Sequence, residues 1–254
     1  MEMKLVLQRV VGWDRRTEAE KAMLRHRLQL IRYRLLYLAS HVLSLLPIPL
    51  VFILRICGSD KHQLHQYGYT YRQLFWPHKY KPIKLLEIGV GGYEVGLGGE
   101  SLNAWQLYFP FAKIVGCDIR DKRRLATLST KIYQLDQSAK GQMEQLANSE
   151  KHFDIIIDDG SHRSNDQIIS FECLYPALNN GGMYIIEDVH TFERTCVGYF
   201  AHLKRYINYS ASFNDLNDVG TCKKGLAKTI KQIIFEGNLI VIIKRKNGDQ
   251  TWLA

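Results

Sequence analysis

Phe153-Asp154-Ile155-Ile156-Ile157-Asp158-Asp159-Gly160-Ser161-His162 is the stretch that decides the fold. An apolar run of strand length breaks into two carboxylates, a glycine and a histidine, and a helical stretch over Asn165–Ala177 follows. A second run, Met183–Ile186, breaks in the same way into Glu187-Asp188. Short apolar runs that alternate with helices belong to a parallel sheet buried on both faces. Carboxylates just past the ends of such strands collect on one edge of the sheet, where open α/β sheets take their ligands.

Upstream, Ile83–Val90, Lys113–Ile119 and Ile132–Leu135 read as further strands. Helices are expected over Ser101–Tyr108, Lys122–Thr130 (capped by Asp121) and Gly141–Asn148. Ser59 or Asp60 opens a helix that carries His65, Tyr67, Tyr71 and Leu74. Downstream come a helix near Leu226–Lys231 and a hairpin, Gln232–Phe235 and Leu239–Lys244, around Glu236-Gly237-Asn238. The expected class is α/β: a Rossmann-like, doubly wound, mostly parallel sheet with a C-terminal antiparallel hairpin and an N-terminal helical appendage. The expected organisation is a basic and apolar helical segment over 1–57 and one globular domain over 58–254.

The net charge of +9 is uneven, because residues 1–59 hold ten Lys/Arg against four Asp/Glu. The excess therefore lies away from the acidic strand ends, which argues against a nucleic-acid partner. Five cysteines without Cys-x-x-Cys spacing indicate neither a zinc site nor a disulfide framework, and a reducing, cytoplasmic setting is expected. Residues 14–34 read as a basic helix capped by Asp14, with Met23, Leu24, Leu28, Ile31 and Leu35 at helical spacing. Leu35–Leu54 carries no Lys, Arg, Asp or Glu, which is long enough to cross a bilayer. Pro47 and Pro49 argue against one straight helix, and no cleavage site for a signal peptide is present. Three readings remain for this segment: a peripheral contact with anionic lipid at the inner face of the membrane, a helix buried in a homo-oligomer or domain interface, or a true span, against which the two prolines argue.

Ile83–Val90 leads into Gly89-Val90-Gly91-Gly92, a turn whose backbone can approach a nucleotide closely. The dinucleotide fingerprint needs a glycine at 94, where Glu94 stands, and this counts against a nicotinamide cofactor. Asp118, at the end of the next strand, is placed to accept from ribose hydroxyls, and Asp136-Gln137, at the end of the third, to meet an adenine edge. An adenosine-containing ligand accounts for all three. Asp159, Glu187 and Asp188 together with His162 suit a hard divalent cation and a general base. Each also has a plainer reading: Asp159 as a helix cap, Glu187-Asp188 as a solvated turn, His162 as a surface residue.

Leu86-Glu87-Ile88-Gly89-Val90-Gly91-Gly92-Tyr93, then Gly98-Gly99-Glu100-Ser101-Leu102 with Trp105 and Phe109-Pro110, resembles S-adenosylmethionine-dependent class I methyltransferases, in particular the metal-dependent sugar O-methyltransferases of macrolide biosynthesis. Asp158-Asp159-Gly160-Ser161-His162, Leu174-Tyr175-Pro176 and Gly181-Gly182-Met183-Tyr184 to Asp188 agree with that family. The resemblance covers about residues 58–191 and, weakly, the final hairpin. It implies that Glu87, Gly89, Gly91, Tyr93 and Ser101 hold the methionine end of S-adenosyl-L-methionine, Asp118 the ribose and Gln137 the adenine, with Asp158 lining the pocket. It implies Mg²⁺ on Asp159, Glu187 and Asp188, and His162 as proton acceptor. The family's Thr-Ser-Tyr-Trp run is replaced by Thr191-Phe192-Glu193-Arg194-Thr195, and its large extra N-terminal domain has no counterpart here, so a macrolide sugar is not implied. The expectation is a methyltransferase acting on a hydroxyl of a sugar, glycan or glycosylated small molecule. The alternatives are a metal-independent small-molecule methyltransferase and a non-catalytic membrane-associated scaffold with a relic pocket.

Overall fold

The computed structural model describes residues 17–63, 67–92, 96–189, 194–204, 207 and 221–246. The chain forms two compact units, one of residues 1–72 with 91–108 and one of 73–90 with 109–254.

In the first unit, α1 (Glu18–Leu43) starts at a capping box. The Glu20 N–H donates to Thr17 Oγ1 at 3.2 Å and the Thr17 N–H to the Glu20 carboxylate at 2.7 Å. Asp14, the expected cap, lies outside the described residues. The helix runs to Leu43, past the expected end at 34, because nothing before Pro47 breaks it. Pro49 then caps α2 (Leu50–Cys57), which Gly58 closes with φ of 79°. The uncharged stretch is thus divided between two helices, and among the described residues no helix is long and apolar enough to cross a membrane. The Arg32 guanidinium donates to the carbonyls of Ile56 and Cys57 at 2.8 and 3.2 Å, where the dipole of α2 favours a cation. The helix expected from Ser59 is two short ones, α3 (Asp60–Gln63) and α4 (Gly68–Phe75). His65 falls outside the described residues. The unit also holds α5 (Glu100–Tyr108), whose Trp105 meets Tyr71 edge-on at 5.6 Å.

The second unit is a seven-stranded sheet in the order β3-β2-β1-β4-β5-β7-β6. The strands are β1 (Lys84–Ile88), β2 (Lys113–Asp118), β3 (Thr130–Gln134), β4 (Phe153–Asp158), β5 (Leu178–Ile186), β6 (Ile230–Glu236) and β7 (Leu239–Lys244). The first five in sequence are parallel, while β7 runs antiparallel to both β5 and β6. Strand order reverses between β1 and β4, which makes their C-terminal ends the switch point. The helices are α6 (Lys140–Glu150), α7 (Ser164–Leu174), α8 (Arg194–Lys204) and α9 (Thr221–Lys228). On one side of the sheet Phe171 gathers Tyr175, Tyr184 and Phe200 within 5.3 Å between ring centroids.

Three expectations are corrected. Lys122–Thr130 is no helix but a single 3₁₀ turn, Arg123–Leu125. Asp121 does bind the Arg123 N–H at 3.0 Å, yet Leu125 is the only buried apolar anchor there and Leu128 is 98% exposed, so nothing extends the turn. β5 starts five residues earlier than expected, through Asn179-Asn180-Gly181-Gly182. The helix α8 was not expected at all.

Glu150, at the end of α6, braces three elements. Its carboxylate takes Lys84 of β1 at 2.7 Å and Lys131 of β3 at 3.1 Å, and also accepts from the Tyr133 hydroxyl. Burial alone would raise this carboxyl, but the hydrogen bonds from Lys84, Tyr133 and Lys131 outweigh it and bring it down to about 2. A carboxyl held below its ordinary 4.5 contributes in full above that pH and loses its contribution as the pH falls towards 2. We predict that Glu150→Gln costs on the order of 2 kcal/mol near neutrality and flattens the loss of stability between pH 5 and about 2.5. Urea unfolding across that range checks it; equal slopes for both proteins would contradict the brace.

Candidate functional site

The C-terminal ends of β1, β2 and β4 are tied to one another by backbone. The Gly89 N–H donates to the Cys117 carbonyl at 2.8 Å, and the Asp159 N–H to the Ile88 carbonyl at 2.9 Å. Gly89 has φ of 80°, and a Cβ placed on it would lie 2.0 Å from the Asp159 carbonyl oxygen. Only glycine fits where two strand-end turns touch in this way. Around it, Gly89, Asp118, Leu135, Gln137, Gly160 and their neighbours enclose a cavity of about 140 Å³.

Asp118 closes that cavity. Its Oδ2 accepts from the Val90 N–H at 3.1 Å and its Oδ1 from the Arg120 N–H at 2.9 Å. A carboxylate has about four acceptor sites, so capacity for hydroxyl donors remains. Gln137 is more committed: Nε2 donates to Asp158 Oδ1 at 2.7 Å and Oε1 accepts from the Ser161 N–H at 2.8 Å. It braces the β3 and β4 loops as well as lining the cavity. Asp158 is fully buried and also accepts from the Tyr184 hydroxyl at 3.2 Å. Burial pushes its carboxyl up to about 7, against the pull of those hydrogen bonds. Tyr184 was not singled out from the sequence, although a tyrosine inside an apolar strand has to find a partner for its hydroxyl. Glu87, in β1, is fully buried. In the first unit, Gly91 has φ of 72° and Ser101 is buried in the first turn of α5. Tyr93 lies outside the described residues.

The acidic corner lies at the ends of β4 and β5. Asp159, His162 and Asp188 each offer a donor atom, and all three atoms lie within 4.8 Å of one another. His162 Nε2 is 3.9 Å from Asp188 Oδ2. Both residues occupy the left-handed region, with φ of 58° and 49°. Such backbone is costly for side-chain-bearing residues and tends to collect at functional sites. The Glu187 carboxylate is not part of this group of three. It is 1% exposed, while its backbone N–H pairs with the Asp158 carbonyl and its carbonyl accepts from Gln167 Nε2.

Two of the plainer readings fare badly here. The residue at the N-cap of α7 is Arg163, with no side-chain cap, so Asp159 does not cap that helix. Glu187 and Asp188 are not a solvated turn, because one is buried and the other keeps only 16% of its side chain exposed. Two carboxylates and an imidazole, with a buried carboxylate next in sequence, form a donor set compatible with a hard divalent cation. A close-approach glycine turn facing a strand-end aspartate suits an adenosine ligand.

Comparison with known proteins shows what the chain is similar to. The chain is 35% identical over 204 residues to the 8-demethyl-8-alpha-L-rhamnosyl tetracenomycin-C 2'-O-methyltransferase of Streptomyces olivaceus, over 75% of this chain and 53% of that protein. It is 39% identical over 129 residues to the mycinamicin VI 2''-O-methyltransferase of Micromonospora griseorubida, over 50% of this chain and 32% of that one. The MycE methyltransferase of the mycinamycin pathway, solved with Mg, SAH and mycinamycin VI, superposes with a TM-score of 0.69 at 27% identity, over 81% of this chain and 57% of its own. The chain has the class I methyltransferase fold. Its likeness is to S-adenosylmethionine-dependent sugar O-methyltransferases. No family model matches. The chain spans about half the length of the first of these relatives and about a third of the second.

The contact at Gly89 yields a prediction. Gly89→Ala forces a methyl into the Asp159 backbone at positive φ and is expected to cost more than about 3 kcal/mol. Its denaturation midpoint falls accordingly; an unchanged midpoint would show that the two turns are not in contact.

Proposed function

We propose that this chain is an S-adenosylmethionine-dependent O-methyltransferase, Mg²⁺-assisted, whose acceptor is a sugar hydroxyl on a glycosylated small molecule or glycan. The reading rests on one observation: the Asp159, His162, Asp188 corner lies on the same sheet edge as the Gly89–Asp118 cavity. The names of the relatives supply the sugar as substrate class. We further take residues 58–254 as the methyltransferase domain, 1–57 as its appendage, the cytoplasm as its location, and no nucleic acid as partner.

Asp118 would hold the ribose and the Gly89 turn the methionine end, with Glu87, Gly91, Tyr93 and Ser101 contributing; Gln137 and Asp158 would shape the adenine side. Asp159, Glu187 and Asp188 would hold the metal, which supplies Lewis-acid polarisation of a hydroxyl that is a poor nucleophile near neutral pH. His162 would take the hydroxyl proton as the oxygen attacks the methyl group in line. Asp188, 3.9 Å away, would steady the imidazolium so formed. Holding donor and acceptor on one rigid edge supplies much of the remaining acceleration.

The geometry also favours a second reading of one residue. His162, and not Glu187, completes the group of donors within 4.8 Å, so the imidazole would be a ligand instead of the base.

Asp159→Asn is expected to lower turnover at least about 100-fold and to weaken activation by Mg²⁺. Chelation should abolish methyl transfer, and Mg²⁺ should restore it. Transfer of labelled methyl from S-adenosylmethionine to rhamnosylated polyketides, with S-adenosylhomocysteine titration beside it, tests the whole reading. Absence of cofactor binding by folded protein would overturn it, and full activity in chelator would remove the metal. For His162→Gln, a turnover loss of about 10²- to 10⁴-fold at unchanged Mg²⁺ affinity supports the base; lost Mg²⁺ affinity supports the ligand.

A further inference from the structure

Methyl transfer makes no use of the outward face of α1. Leu24, Leu28, Ile31, Leu35, Leu38 and Val42 recur at alternating steps of four and three, which draws one stripe along the helix. At 100° per residue this stripe is opposite Tyr33, Tyr37 and Ser40, the side chains that α1 buries. Leu35, Leu38 and Val42 are 61%, 64% and 69% exposed. Leu45 and Leu46 in the following turn and Phe52 and Ile56 of α2 are exposed as well. Soluble monomers rarely leave an apolar stripe of this length in water.

The charges beside the stripe indicate what covers it. Arg27 and Arg34 line one border, Arg25 and Arg32 the other. From Lys21 to Ser59 there is no Asp or Glu, while Lys21, Arg25, Arg27, Arg32, Arg34 and Arg55 are basic. A second copy seated on the stripe as a two-stranded coil would bring Arg27 and Arg34 against borders with no carboxylate between residues 21 and 59 to meet them. The patch also leaves the helix and spreads over a turn and a second helix. A bilayer accommodates such a layout without shape complementarity, and long arginine side chains lift their charge to headgroup phosphates from a buried stem.

We infer that this face lies in the surface of an anionic lipid bilayer, with α1 in the membrane plane. The stripe enters the acyl boundary and the Arg27 border meets lipid phosphates, while Arg32 stays on the carbonyls that end α2. The absence of a described helix able to span fits a chain that lies on the membrane and does not cross it. The inference is independent of methyl transfer and uses only residues of the first unit.

The test is co-sedimentation of the full chain with vesicles of phosphatidylcholine and phosphatidylglycerol in equal parts, or of phosphatidylcholine alone, without cofactor or acceptor. The protein is expected to pellet with the anionic vesicles, to stay in solution with the neutral ones, and to be released by high salt. Leu35→Gln with Leu38→Gln should abolish pelleting without moving the thermal midpoint, because both side chains already face solvent. Arg27→Gln should weaken partitioning about fivefold. Wild-type protein that stays in solution with anionic vesicles overturns the inference. So does a dimer, seen by light scattering, that the Leu35→Gln/Leu38→Gln protein loses while vesicle binding is absent; the face would then belong to a second copy. Equal pelleting of wild type and the double variant overturns it as well.

Discussion

The backbone contact between Gly89 and Asp159 is the constraint on which the site depends. A missing Cβ lets the turn after β1 rest on the turn after β4. That contact sets the Gly89–Asp118 cavity and the acidic corner on one edge of the sheet. It also explains the rigidity beneath. Gln137 and Tyr184 converge on Asp158, one residue before the contact, so the donor corner rests on a buried polar network whose members satisfy one another. Strain at His162 and Asp188 is sustained by that support.

The sheet was legible in the sequence because its strands are apolar runs that end in carboxylates, a pattern set by burial on both faces. Helices α5, α6 and α7 followed from their alternation with those strands. What failed has identifiable causes. Lys122–Thr130 carries good helix formers but a single buried anchor, so propensity had nothing to pack against. The extension of β5 through two asparagines and two glycines runs against strand composition, and its pairing with Phe153 at Leu178 supplies what local preference lacks. The termination of α1 at Leu43 was hidden because its residues are helical with or without charge.

At the site, residue type and position gave the edge but not the distribution of roles. Asp118 and Asp159 stand where a strand-end reading puts them. Gln137 does more than such a reading offers, since its amide is engaged on both sides before any ligand arrives. The nearness of His162 to Asp188 depends on two left-handed residues, which no periodicity reveals. Glu187 and Asp188 are neighbours in sequence, yet backbone geometry sends one carboxylate inward and leaves the other at the corner.

The order of the strands has a temporal consequence. β7, which follows β5 and β6 in sequence, lies between them in the sheet, and the Asn238 carbonyl of its hairpin turn accepts from the Val189 N–H at 2.9 Å, one residue beyond Asp188. The hairpin follows the first five strands in sequence, so during synthesis the β5 edge lacks its antiparallel partner and the Val189–Asn238 bond cannot form until the hairpin emerges. A nascent chain halted before residue 238 would therefore carry the Gly89–Asp118 cavity without the bond that holds the loop after Asp188.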